Sequence, residues 1–92
     1  MDNSAIAQQL RNHARQLDVQ GENLYRVRAY RRAAQIVLGL DRPVLDLLAE
    51  SGSQALRNLP GIGAHLGFTI EHLARTGEFL TFEERDSARA AS

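Results

Sequence analysis

The stretch Leu59-Pro60-Gly61-Ile62-Gly63 does most to narrow what this chain can fold into. It separates two segments whose apolar residues recur at helical spacing: Ala55, Leu56 and Leu59 before it, and Leu66, Gly67, Ile70, Leu73 and Ala74 after it. Two glycines around one apolar residue let the backbone turn tightly between helices, while Ile62 points back into the core as an anchor. The expected unit is a tight αα-hairpin whose second helix runs from about Gly63 to Thr76 and stops at Gly77. The amides of Gly61, Gly63 and Ala64 then lie at a helix N-terminus, where unpaired N–H groups and the helix dipole attract an anion. The same residues also suit a hairpin without a ligand.

The rest of the chain has the same periodicity. Leu and Ala supply 26 of the 40 apolar residues, against eight Val plus Ile, which favours helix over strand. A first helix is predicted from an Asn3 cap to about Val19, with Ile6, Leu10, Ala14 and Leu17 on one face and Gly21 beyond it. Asn23 caps a second helix over about 24–38, stopped by Gly39, with Val27, Tyr30, Ala34, Val37 and Leu38 inward. Asp41 and Pro43 open a third through Val44, Leu45, Leu47 and Leu48. Ser51-Gly52-Ser53 closes that helix and caps the short one leading into the hairpin. The fold class is therefore all-α: a compact bundle of four to five short helices in a single domain over 1–85, with a flexible C-terminal tail over 86–92.

Charge and composition exclude several kinds of chemistry. All eleven basic residues are Arg, and eleven Asp and Glu cancel them to a formal net charge of zero. With no Lys, only the N-terminal amine could act as a Schiff-base nucleophile. Binding through a large overall positive field is also excluded, so any nucleic-acid contact must come from a local patch. The absence of Cys removes disulfides, thiol catalysis and Cys-based zinc sites, and the sequence has neither a signal-like segment nor a membrane-length apolar run. A cytoplasmic protein with no membrane partner is the expectation. His65 and His72 stand two turns apart, roughly 10 Å by helical rise, with no third ligand in sight, which argues against zinc.

The arginines divide by helical phase. Arg28, Arg31 and Arg32 form one polar stripe on the second helix, either a secondary basic face for DNA or an ordinary solvated one. Arg26 lies on the opposite side beside Tyr30. A cation in a helix's first turn opposes the dipole, so Arg26 calls for an anionic partner: Glu22, Asp18 or a phosphate. On the hairpin's second helix His65, Thr69, His72 and Thr76 form a polar stripe, and Phe68 is placed to pack on Phe79 or Phe82 as the chain folds back.

The hairpin, the run Gly21-Glu22-Asn23-Leu24-Tyr25-Arg26-Val27-Arg28-Ala29-Tyr30-Arg31-Arg32-Ala33-Ala34 and the later Thr76-Gly77 together resemble the small N-terminal helix-hairpin-helix domain of family X DNA polymerases. The resemblance covers about residues 3 to 85 and includes nothing of the polymerase itself, so it implies the module standing alone. It implies a DNA-binding fold that grips the 5′-phosphate at a gap. It also implies a monovalent cation such as K or Na at the backbone carbonyls of Arg57, Leu59 and Ile62, and no other cofactor. The family's phosphate-pocket positions are filled here by Arg26, Tyr30, Arg57 and His65. Thr69 stands where lyase-active members have their nucleophilic Lys, and a Thr hydroxyl cannot form an imine, so no catalytic residue is assigned. Tyr25 replaces a His of polymerase beta.

The resulting expectation is a non-catalytic, sequence-independent DNA-binding module of DNA repair. It holds backbone or 5′-terminal phosphates through Gly61, Gly63, Ala64, His65, Arg57, Arg26 and Tyr30. Its partner is DNA, gapped or 5′-phosphorylated, with a repair or replication protein as a further partner. The alternative is a protein-interaction module on the same fold. Residues 21–42 hold five Arg against Glu22 and Asp41, whereas residues 71–92 hold three Arg against five acids, so charge is separated along a neutral chain.

Overall fold

Asp2 starts the first helix. In the computed structural model, which describes the backbone of residues 1–91 and the side chains of residues 1–87, α1 spans Asn3–Val19 and the Asp2 carboxylate accepts from the Ala5 amide at 2.8 Å. The sequence pattern points to Asn3 for this role, but Asn3 is already helical, and a cap needs the extended backbone that Asp2 has. Asn3 instead reaches across the bundle. Its side-chain amide donates to the Arg42 carbonyl at 2.8 Å, and its Oδ1 accepts from the Val44 amide at 3.0 Å.

That second bond serves the start of α3 (Val44–Arg57), which follows α2 (Leu24–Leu38). Asn23 caps α2 as expected, accepting from the Tyr25 amide at 2.8 Å. Inside α3 the chain breaks at Gly52 (φ 79°, ψ 174°), so Ser51-Gly52-Ser53 does divide two helical pieces. Then α4 spans Gly63–Thr76, ended by a left-handed Gly77, and α5 spans Phe82–Ala91. The tail expected over 86–92 begins inside this last helix, and Ser92 lies outside the described residues.

The described residues form an all-helical bundle with a Cα radius of gyration of 12.8 Å. None of its helices is long and apolar enough to cross a membrane. Two helical hairpins, α1 with α2 and α3 with α4, close over a core in which Ile6, Leu10, Val27, Val37, Leu56, Ile70 and Leu73 are fully buried. Ala7, Ala14, Ala33 and Ala34 are buried too, and their small size lets α1 and α2 approach closely. One expected core residue is outside: Leu38 is exposed, because it lies about 100° round its helix from the buried Val37, as the exposed Leu45 does from Val44. Thr69 departs from the expected polar stripe in the other direction. It is buried, and its hydroxyl donates to the His65 carbonyl at 3.3 Å.

Candidate nucleic-acid interface

The turn between α3 and α4 is built as its residues suggest. Ile62 is buried and its amide donates to the Leu59 carbonyl at 3.0 Å, drawing the chain into a tight loop. Gly61 (φ 90°) lies hard against α2. A Cβ there would stand 2.9 Å from Ile36 Cδ1 and 3.0 Å from Arg32 Cδ, side-chain atoms that could give way, and it is the positive φ that favours glycine. Gly63 (φ 71°) opens outward, with nothing within 4 Å of where its Cβ would be. No side chain caps α4. Its first amides are therefore left for solvent or a ligand, at the end of the helix that carries positive potential.

Beside this terminus lies an open cavity of about 440 Å³ walled by α2, the hairpin and the start of α5. Four of the expected phosphate ligands line it: Arg26 and Tyr30 from α2, Ala64 and His65 from α4. An acidic side chain also enters it. The Glu83 carboxylate stands 4.0 Å from Arg26 Nη2 and 3.7 Å from His65 Nδ1, which makes Glu83, rather than Glu22 or Asp18, the anion facing Arg26. Next to it the Phe82 ring lies flat on the His65 imidazole, centroids 4.3 Å apart and planes 6° from parallel. Phe68 meets Phe82 edge-on at 6.0 Å, in line with the expected packing of the returning chain.

Burial raises the Tyr30 phenol above its ordinary pKa, and the Glu83 charge adds to the rise while Arg26 opposes it. The phenol stays protonated and can donate to an anion. Beneath it is a residue that the sequence pattern did not single out. His13 packs against Tyr30 and Phe79 with ring centroids 4.6 and 4.5 Å away, and its Nε2 is buried without a hydrogen-bond partner. Burial, then Arg26, lowers its pKa, against the opposing charges of Glu84 and Glu83. The signal was present in the spacing: His13 follows Leu10 by three and precedes Leu17 by four, so it borders the inward face of α1.

Arg57 does not join this group. It lines a second, smaller cavity of about 150 Å³ with Phe68, Glu71, His72 and Arg75. The side chain lies over Gly67, where a Cβ would stand 2.7 Å from Arg57 Cγ, and its Nε is buried without a hydrogen-bond partner. Burial alone would raise the Glu71 carboxyl, but Ser53, Arg75 and the Arg57 charge hold it below its ordinary value. Of the secondary basic face, Arg28 and Arg32 are exposed, the Arg32 stem resting on the hairpin at Gly61, while Arg31 pairs with Asp18 at 3.6 Å.

A family model described as the helix-hairpin-helix domain matches residues 1–79. The chain belongs to that family. No curated protein and no solved structure matches it. Helix-hairpin-helix domains generally bind DNA, and in this one the hairpin lies between α3 and α4 with the larger cavity beside it.

Proposed function

We propose that this helix-hairpin-helix domain is a non-catalytic module that holds DNA backbone or 5′-terminal phosphates without sequence preference, as its resemblance to the polymerase X N-terminal domain implies. One observation carries the reading: Arg26, Tyr30 and His65 converge on a cavity beside the uncapped N-terminus of α4, where a carboxylate already faces Arg26 and His65. A phosphate oxygen can take the same position and accept from the amides, the guanidinium and the phenol. Such contacts position a protein on DNA and carry no base code. Arg28 and Arg32 extend the cationic surface beyond the cavity, whereas Arg57 faces the second cavity and is not part of this surface.

A monovalent cation such as K or Na at the carbonyls of Arg57, Leu59 and Ile62 is part of the same proposal. Of the Arg57, Leu59 and Ile62 carbonyls, Leu59 accepts the Ile62 amide, and the others have no backbone donor outside the helices among the described residues. Lone pairs therefore remain for a hard cation. Lyase chemistry is not part of the proposal. Thr69 is buried with its hydroxyl turned to the His65 carbonyl, and the sequence has no Lys. Abasic DNA treated with borohydride should trap no adduct.

The deciding measurement is binding to gapped DNA with and without a 5′-phosphate, at low salt, for wild type and Gly63→Val. Wild type should bind with a salt slope worth about two to four phosphates. The variant should lose most of that affinity, because a branched side chain at Gly63 obstructs the open amides. Equal binding by the variant would refute the reading. The alternative, a protein-interaction module, draws support from Val19, Leu24 and Tyr25, which leave three apolar side chains exposed around the α1–α2 turn. Failure of wild type to bind DNA at low ionic strength would favour it.

A further inference from the structure

Phe82 and Glu83 form the α5 wall of the cavity and hold its polar groups. The two side chains present a flat ring and an anion side by side, the ring stacked on His65 and the carboxylate between His65 and Arg26. A nucleotide offers the same pair of features, a base with a π-face and a phosphate. The segment comes from the acid-rich end of the chain and folds back on the Arg-rich second helix, so the neutral net charge is partly an internal pairing across this site. Any phosphate that reaches Arg26 and His65 meets the Glu83 charge already there, and two anions cannot share this site without repulsion.

The closure is also weak and self-contained. Both Glu83 contacts are longer than a hydrogen bond and join side chains that are 41 to 65% exposed, the kind of surface contact that shifts an equilibrium only a few-fold. Beyond them α5 is held by Phe82 on His65 and Phe68, with the Arg85 guanidinium 5.3 Å from the Phe68 centroid and 5.6 Å from that of Phe82. The helix has its own reciprocal cap: the Glu84 amide donates to Thr81 Oγ1 at 3.1 Å, and the Thr81 amide donates to Glu84 Oε2 at 3.4 Å. It can therefore leave the cavity without unwinding. The non-helical residues 77–81, beginning with Gly77 at φ 77°, supply a hinge.

We infer that α5 is a displaceable plug, in which Phe82 and Glu83 stand in for the base and phosphate of a nucleotide, and that DNA gains Arg26 and His65 only by lifting it. This inference rests on the phosphate-binding reading above. A site that is competent for only part of the time binds more weakly by that fraction. Loosening the plug should therefore tighten DNA binding.

The test uses the full chain and a 5′-phosphorylated gapped duplex at low salt, followed by fluorescence anisotropy. Glu83→Gln should bind about three- to tenfold more tightly than wild type. Asp86→Asn removes the same charge from the same helix away from the cavity, and should stay within about twofold. Phe82→Ala, which changes no charge, should also tighten binding. Hydrogen exchange on the wild-type complex should show faster exchange at α5 amides and slower exchange at the start of α4. Equal gains for Glu83→Gln and Asp86→Asn would reduce the effect to net charge and overturn the plug, as would α5 amides that stay equally protected at saturating DNA. If wild type binds and Glu83→Gln gains nothing, the plug alone falls. If wild type does not bind at low salt, the phosphate-binding reading falls and the plug with it.

Discussion

Of the glycine-containing turns that join helices in this molecule, two are finished in opposite ways. At the turn between α1 and α2, Asn23 closes the start of α2 by accepting the Tyr25 amide, and the apolar side chains around it, Val19, Leu24 and Tyr25, face outward. At the turn between α3 and α4 the apolar residue, Ile62, is driven into the core, and the helix it introduces has no capping side chain. The other helix starts resemble the first turn. Asp2 serves α1, Asn3 serves α3 from across the bundle, and Thr81 serves α5. A helix start must satisfy its free amides with a side chain, water or a ligand. Only at α4 among the described helices is a side chain not the answer, and there Arg26, His65 and Tyr30 gather beside it.

The sharpest way to break that contrast is to remove the anchor. Ile62→Ala should cost about 3 kcal/mol in urea denaturation, because a buried aliphatic side chain is lost from a packed core. The matching change at the first turn, Leu24→Ala, removes an exposed side chain and should stay within about 0.5 kcal/mol. Equal losses would mean that the two turns are anchored alike.

A smaller effect should separate stability from binding. Arg26→Ala should lower affinity for 5′-phosphorylated DNA about tenfold, the size expected for one charge-assisted phosphate contact, with little change in melting temperature. Asn23→Ala should do the reverse, costing about 1 kcal/mol of stability for the lost cap while DNA affinity holds. If Asn23→Ala weakened DNA binding as much as Arg26→Ala, the α2 cap would be part of the DNA interface.

The smallest expected effect concerns His13, under the cavity. Its pKa in the folded protein is depressed by burial and by Arg26, so the unfolded chain takes up the proton first. Its contribution is complete above about pH 6.5, the ordinary histidine value, and is lost as pH falls through the depressed folded value. Thermal melts from pH 7 to pH 5 should show this decline in wild type and a flatter profile in His13→Phe. Parallel profiles would show that His13 does not contribute.

The two turns also mark how far the fold and the candidate site can be read from sequence. Helix positions, the Asn23 cap, the break at Gly52 and the burial of Ile62 follow from spacing and from glycine, which act within a few residues along the chain. The same locality explains the misses. Asn3 carries the right chemistry for a cap, but it caps α3, because that partner is 41 residues away. Leu38 is apolar, yet it sits one step round from the buried Val37.

The site divides in the same way. Sequence by itself determined that the hairpin would expose amides, that Arg26 would need an anion and that no Lys was present for imine chemistry, since residue type and local periodicity settle these points. Tertiary structure alone decided that the anion facing Arg26 is Glu83, that Arg57 faces a different cavity and that His13 lies beneath Tyr30. Each of those depends on which helices pack together, and charges distant in sequence become partners only when the chain folds back and brings α5 over the Arg26 side of α2.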